Sequence, residues 1–142
     1  GLIRTEQVSD MTSRSSAKPQ VREKLTELQR TLAKKEDVLM DGRDIGTMIL
    51  PDAQLKIFLT ASVKTRAERR YKEQIEKGES CTLEEIERDI EERDYRDSHR
   101  ETAPLRQAED AVLVDSSDMT IDEVVAAIVA LARERMQMAT CR

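Results

Sequence analysis

Two acids, an arginine and two glycines fall within the six residues Asp41-Gly42-Arg43-Asp44-Ile45-Gly46. The Arg43 guanidinium is a planar fork of donors that matches phosphate oxygens. Gly42 and Gly46 relieve the backbone around it. At the carboxyl end of a strand, where open α/β sheets bind ligands, this segment can grip a polar anion; as a plain charged turn it closes only a local salt bridge. A second group lies in Glu92-Arg93-Asp94-Tyr95-Arg96-Asp97-Ser98-His99-Arg100. On a helix Arg93, Asp97 and Arg100 share one face at i, i+4 and i+7. Two arginines flanking a carboxylate can hold a sugar hydroxyl and a phosphate together; the alternative is an exposed ion-pair ladder worth ~0.3–0.5 kcal/mol per pair. Arg66, Arg69 and Arg70 form a third cluster. Arg66 and Arg70 repel at i, i+4 in a free helix, which an arriving anion would relieve and a solvated face would merely tolerate.

Other chemistry is sparse. His99 is the single histidine, and with no Ser or Cys nucleophile motif near it reads as a helix-end residue, not a base. Cys81 and Cys141 are the only cysteines; they form no CxxC pair, so a zinc site is not expected and a reduced compartment is the simple reading. A phosphate-cradling loop needs G-x-x-x-x-G-K-[ST]. The glycines are Gly1, Gly42, Gly46 and Gly78, and none stands at that spacing before Lys-Ser or Lys-Thr. The chain thus carries arginines and aspartates fit for one half of a phosphoryl-transfer site, without the loop of the other half.

The elements that must position these residues follow from pattern. The 142 residues suffice for one domain, or for most of a larger one. Charged residues make up 37%, hydrophobic residues 38% and aromatics 2%, with no Trp, so the core must be aliphatic and stacking on single-stranded nucleic acid is disfavoured. The net charge of −5 repels duplex DNA, so an anion site here must be local. No run approaches the ~18 apolar residues of a membrane span, no signal peptide is visible, and a cytoplasmic location is expected.

Thr5 to Ala17 reads as a short polar helix broken at Lys18-Pro19. Val21, Leu25, Leu28 and Leu32 then follow at i, i+4, i+7 and i+11, an amphipathic stripe. Val38-Leu39-Met40, Leu55–Leu59 and Ala111–Asp115 read as three buried strands. Ser62 caps a helix through Arg66, Arg69 and Arg70 that stops at Gly78. Thr82-Leu83-Glu84-Glu85 and Thr120-Ile121-Asp122-Glu123 are capping boxes. The last helix is expected to bury Ile121, Val124, Val125, Ile128 and Leu131. Strands separated by helices predict an α/β domain with a parallel sheet. The charge-dense region from Lys64 to Arg100 predicts a helical hairpin projecting off that sheet.

These strings together resemble bacterial cytidylate kinases. DGRDIGT at Asp41–Thr47, PDA at Pro51–Ala53, KIFLTAS at Lys56–Ser62 and RAERRY at Arg66–Tyr71 carry the resemblance. So do ERDYRDSHRE at Glu92–Glu101, APL at Ala103–Leu105 and EDAVLVDSS at Glu109–Ser117, with IRT at Ile3–Thr5 and PQVREKLTELQR at Pro19–Arg30 upstream. The register is continuous from about Ile3 to about Met136. The resemblance implies a P-loop nucleoside monophosphate kinase-like parallel sheet with a helical lid, and transfer of the ATP γ-phosphoryl group to CMP or dCMP with Mg2+. It divides the chain into the end of the monophosphate-binding insert (1–34), core strands (35–62), lid and flank (63–103), and a core strand with the C-terminal helix (104–142).

By the same resemblance the acceptor site falls on Ser13, Arg22, Arg43, Asp44, Arg93, Asp97 and Arg100. Ser13, Arg22 and Asp44 would face the cytosine, Arg43 would hold the acceptor phosphate, and Arg93 and Asp97 would grip the pentose with Arg100 close by. Arg43, Arg66, Arg69 and Arg70 are the expected catalytic cations over the transferring phosphoryl group. The start at Gly-Leu-Ile-Arg suggests a processed, truncated or engineered terminus. Against the family pattern, the P-loop with its Lys and its Mg2+-binding hydroxyl, the first acceptor-phosphate arginine and most of the insert are not in the sequence. The chain by itself is therefore expected to be inactive, to bind no Mg2+ or ATP tightly, and to self-associate or exchange strands across an incomplete sheet. Alternatives are a CMP-binding fragment or a helical protein-interaction module. No nucleic-acid or membrane partner is expected.

Overall fold

The computed structural model describes residues 8, 11, 12, 15, 18–101 and 103–140. Ser13 and most of the helix expected from Thr5 to Ala17 lie outside the described residues. The elements run α1 (Pro19–Lys35), a π-helical turn (Ile45–Ile49), β1 (Ile57–Thr60), α2 (Val63–Glu76), α3 (Leu83–His99), β2 (Val112–Asp115) and α4 (Ile121–Thr140).

Local chemistry explains the boundaries. Pro19 stands in the first turn of α1, where its fixed φ suits the helix and its missing N–H costs nothing. The Ser62 hydroxyl accepts the Thr65 amide at 3.1 Å and starts α2. That helix ends in a Schellman closure: Gly78 takes φ +76°, the Gly78 amide donates to Ile75 and the Glu79 amide donates to Gln74, each at 2.9 Å. Both capping boxes are formed. Thr82 and Glu85 exchange bonds of 3.3 Å at the start of α3, and Thr120 and Glu123 exchange bonds of 2.7 and 3.3 Å at the start of α4.

The strands β1 and β2 pair in parallel, in register from Ile57↔Val112 to Thr60↔Asp115. A parallel pair needs a long crossover, and the α2–α3 hairpin supplies it. Ala67, Ile86 and Ile90 form the hairpin's buried core, with Val63, Cys81 and Leu83 packed against them. Ala67 is fully buried, and its small side chain lets the two helices approach.

Two expectations fail. Val38-Leu39-Met40 forms no strand. Among the described residues the sheet is β1 and β2 alone, and Leu39 is 96% exposed. An apolar run becomes a strand only where a neighbour pairs its backbone groups, and no described segment does so here. The α1 stripe of Val21, Leu25, Leu28 and Leu32 is likewise exposed. In α4 no residue is fully buried; Val124, Ile128 and Leu131 are half-buried, whereas Val125 is exposed and Ile121 is 82% exposed. Helical periodicity decides which side chains share a face, not whether another element covers it. Among the described residues no helix is long and apolar enough to cross a membrane.

Candidate functional site

The segment carrying Arg43 and Asp44 leads into the π-turn. The Asp44 carbonyl accepts the amides of Met48 at 2.9 Å and Ile49 at 3.3 Å, and the Ile45 carbonyl accepts that of Leu50 at 2.7 Å. A Cβ at Gly42 would lie 2.7 Å from Cγ1 of Ile45, so any larger residue there would force the Ile45 side chain to shift. Arg30 of α1 closes the far end, donating from Nε to the Ile49 carbonyl and from Nη2 to the Met48 carbonyl, both at 2.8 Å. These bonds fix α1 against the turn and bring Arg22, near the start of α1, to Asp44. The Arg22 guanidinium donates to the Asp44 carboxylate, and both side chains are largely buried.

The second half of α3 faces the same region. Asp97 is buried, 7% exposed, and sits among three guanidiniums. Arg43 contacts its Oδ2, and Arg93 Nε and Arg100 Nη1 each lie 3.9 Å from a carboxylate oxygen. The backbone beyond α3 locks this end. The Leu105 amide donates to the Asp97 carbonyl at 2.8 Å, and Arg100 Nε donates to the carbonyl of Ala103 at 2.7 Å. Ala103 is buried at φ +49°, a left-handed conformation that a non-glycine residue rarely adopts.

Arg43 is the electrostatic centre. Burial lowers its pKa most, the charges of Arg93, Arg100 and Arg66 lower it further, and Asp94 opposes them. The repulsion among these like charges would be relieved by an anion bound beside them. Asp94 forms a bidentate pair with Arg66 of α2, with N–O distances of 2.9 and 2.6 Å. That hydrogen bond is the main cause holding the Asp94 carboxyl below the ordinary range, and it raises Arg66 in return.

The structure thus brings Arg22 to Asp44, and Arg43 to Arg93, Asp97 and Arg100. It does not deliver all the α2 arginines alike. Arg66 is held by Asp94 and donates from Nε to the Ala61 carbonyl at 3.0 Å. Arg69 donates to the carbonyls of Ser116 at 2.6 Å and Met119 at 3.2 Å, and to the Ser116 hydroxyl at 3.2 Å. It straps α2 to the loop after β2. Arg70 is exposed on α2 and Asp41 is exposed before the turn. An open groove of about 770 Å3 runs along the outer side of α3, lined by Glu91, Glu92, Tyr95, Arg96, His99 and Arg100; it shares only Arg100 with the site. Within it His99 stacks on Tyr95 at 4.1 Å.

Sequence reasoning missed Asp94 as the partner of Arg66, Ser116 as the anchor of Arg69, and Arg30 as the brace of the turn. Their contacts span 28, 47 and 19 residues, so no local spacing announces them. Among the described residues no group of three His, Cys, Asp or Glu side chains is placed to hold a metal ion.

The parallel strand pair bridged by a helical hairpin, with the guanidiniums of Arg43, Arg93 and Arg100 gathered on buried Asp97, defines an α/β protein with a basic cluster at the end of α3. A family model described as cytidylate kinase matches residues 1–134. The chain belongs to the cytidylate kinase family. A cytidylate kinase of Streptococcus pneumoniae strain 70585 and one of serotype 4 strain TIGR4 are each 56% identical to it over 134 residues, covering 94% of this chain and 60% of the relative. One from strain Hungary19A-6 is 55% identical over the same length. The chain thus spans 60% of the length of the curated relatives it matches.

Proposed function

We propose that this chain supplies the CMP-acceptor side and the lid of a cytoplasmic cytidylate kinase, which transfers the γ-phosphoryl group of ATP to CMP or dCMP to give CDP or dCDP. The observation that carries this reading is the convergence of Arg43, Arg93 and Arg100 on buried Asp97, with the Arg22–Asp44 pair beside Arg43 in the chain.

Arg22 and Asp44 present a donor and an acceptor side by side. Cytosine offers the complement, an amino donor at C4 and acceptors at N3 and O2. Uracil sets an oxygen where the amino group stands, so Asp44 would face an acceptor. A buried polar group left unpaired costs ~1–3 kcal/mol, roughly 5- to 150-fold in affinity. Ser13 completes the base side in this reading. Arg43 takes the acceptor phosphate, and Arg93 and Asp97 take the pentose with Arg100 beside them. Arg66 and Arg70 remain for the transferring phosphoryl group, and Arg69 joins them only on releasing the carbonyls of Ser116 and Met119.

The 142 residues contain no G-x-x-x-x-G-K-[ST] loop, so the donor phosphates need a segment from outside them, and this chain assayed by itself turns over poorly. Turnover near that of an intact enzyme with ATP, Mg2+ and CMP would overturn that part. The parallel nucleoside monophosphate kinase sheet is completed by the same outside segment. With β1 paired only to β2 among the described residues, the chain is expected to self-associate; a monodisperse, cooperatively unfolding monomer at all concentrations counts against this.

Calorimetric titration of the chain with CMP, dCMP and UMP tests the acceptor site. Heat with CMP and dCMP, weaker binding of UMP, and loss of that discrimination in Asp44→Asn are expected. No heat with CMP or dCMP removes the reading. The exposed stripe of Val21, Leu25, Leu28 and Leu32 favours a second reading, a helical protein-interaction module. It gains if Arg43→Ala and Asp44→Ala leave every ligand interaction intact.

A further inference from the structure

Helix α3 sets two carboxylates on one face a single turn apart, Asp94 and Asp97. They do different work. Asp97 is shared by Arg43, Arg93 and Arg100. Asp94 holds one arginine, Arg66, through both forks at 2.9 and 2.6 Å. The remaining Arg66 nitrogen, Nε, is fixed on the Ala61 carbonyl at 3.0 Å. Arg66 is therefore oriented as well as neutralised, and the partner that orients it is a carboxylate in the geometry a phosphoryl group would use.

Four guanidiniums share this field, Arg43, Arg66, Arg93 and Arg100. Two carboxylates balance them, Asp94 and Asp97, which leaves four minus two, a formal charge of +2. That matches the charge of a phosphate monoester dianion. Neutralising Asp94 would raise it to +3 and release Arg66.

We propose that Asp94 is a built-in counter-ion: it stands in for phosphoryl oxygens on Arg66, keeps the arginine aimed between ligands, and weakens binding of bare inorganic anions that lack a nucleoside. The proposal deepens the kinase reading, and rests on it for the identity of the incoming group. Asp94 is a positioning residue, acting through Arg66. Exchange of Asp94 for ligand oxygens moves a guanidinium from one anion to another of like geometry, so little reorganisation is needed at the moment of binding.

The test is titration of the chain with inorganic pyrophosphate at low salt, followed by calorimetry. Asp94→Asn keeps the side-chain shape and removes the charge. It is expected to bind pyrophosphate at least about fivefold more tightly than the parent, with a steeper loss of affinity as salt rises. Asp89→Asn, the same charge change at an exposed position of α3, is expected to leave affinity unchanged. The double variant Arg66→Ala with Asp94→Asn is expected to lose the gain. Equal or weaker binding by Asp94→Asn, the same gain in Asp89→Asn, or a gain kept without Arg66 would each overturn the proposal. A readout on the unaltered chain guards against misfolded variants. Pyrophosphate should shift the guanidinium nitrogen resonances of Arg66 and the carboxylate carbon resonance of Asp94 together; movement of neither refutes the exchange. CMP is titrated in parallel. The pyrophosphate pattern without CMP binding supports the counter-ion while removing the nucleotide reading; CMP binding without the pyrophosphate pattern removes the counter-ion alone.

Discussion

Replacing Asp97 by asparagine keeps the shape of the side chain and removes its charge. Asp97 is 7% exposed and faces Arg43 in contact, with Arg93 and Arg100 at 3.9 Å. Near a protein surface a unit pair at this distance gains about 4 kcal/mol before desolvation is counted. Arg93 and Arg100 are each about a third to a half exposed in their side chains, so screening reduces each of those pairs to ~0.5 kcal/mol net. The Arg43 contact lies deeper, and breaking it leaves a half-buried guanidinium among like charges, a loss of ~1–2 kcal/mol. The expected cost is thus about 2–3 kcal/mol. For a chain of this size that lowers Tm by about 5–10 °C. Thermal unfolding followed by helical circular dichroism, at low and at high salt, measures it. The loss should persist in part at high salt, because a buried carboxylate is poorly screened. A fall of less than about 2 °C, or a rise, would mean that desolvating Asp97 outweighs its three partners and would refute the view of Asp97 as the hub of the site.

Asp94 gives an acid signature. Its folded pKa lies below the unfolded value of about 3.9, chiefly because Arg66 donates to it. The stabilisation is fully present above about pH 4 and is lost as pH falls through the lower folded value; both side chains are about a third exposed, so it amounts to less than ~1 kcal/mol. Unfolding midpoints from pH 6 to pH 3 should fall more for the parent than for Asp94→Asn, and parallel curves would contradict this. Arg69→Ala removes the donor that holds the carbonyls of Ser116 and Met119, at ~1–2 kcal/mol. Amide hydrogen exchange in residues 116–119 should accelerate in Arg69→Ala and stay unchanged in Arg70→Ala; equal protection in both would show that the strap carries no load.

Much of the local frame was legible. Ser62, the two capping boxes and Gly78 mark helix ends through contacts within a few residues, and each formed as its sequence signature implies. The runs at 55–59 and 111–115 formed strands, at Ile57–Thr60 and Val112–Asp115, because each found a partner in the other. Val38-Leu39-Met40 has the same composition and found none among the described residues. The stripes of α1 and α4 had the right period, yet their exposure depended on whether another element lay against them. The π-turn at Ile45–Ile49 was not legible, because it is held by Arg30 from another helix.

The candidate site divides along the same line. Sequence alone determined which residues carry charge, which of them ride on one helical face, and where each helix starts and stops, because these depend on backbone geometry within a turn or two. Only the tertiary structure decided which guanidinium meets which carboxylate. Arg22 finds Asp44 across 22 residues, Arg66 finds Asp94 across 28, and Arg69 finds the loop after β2 across 47. A charge interacts with whatever the fold brings near, irrespective of its place in the chain. For that reason three arginines that looked alike on α2 separate into one paired with a carboxylate, one strapped to backbone carbonyls and one facing solvent.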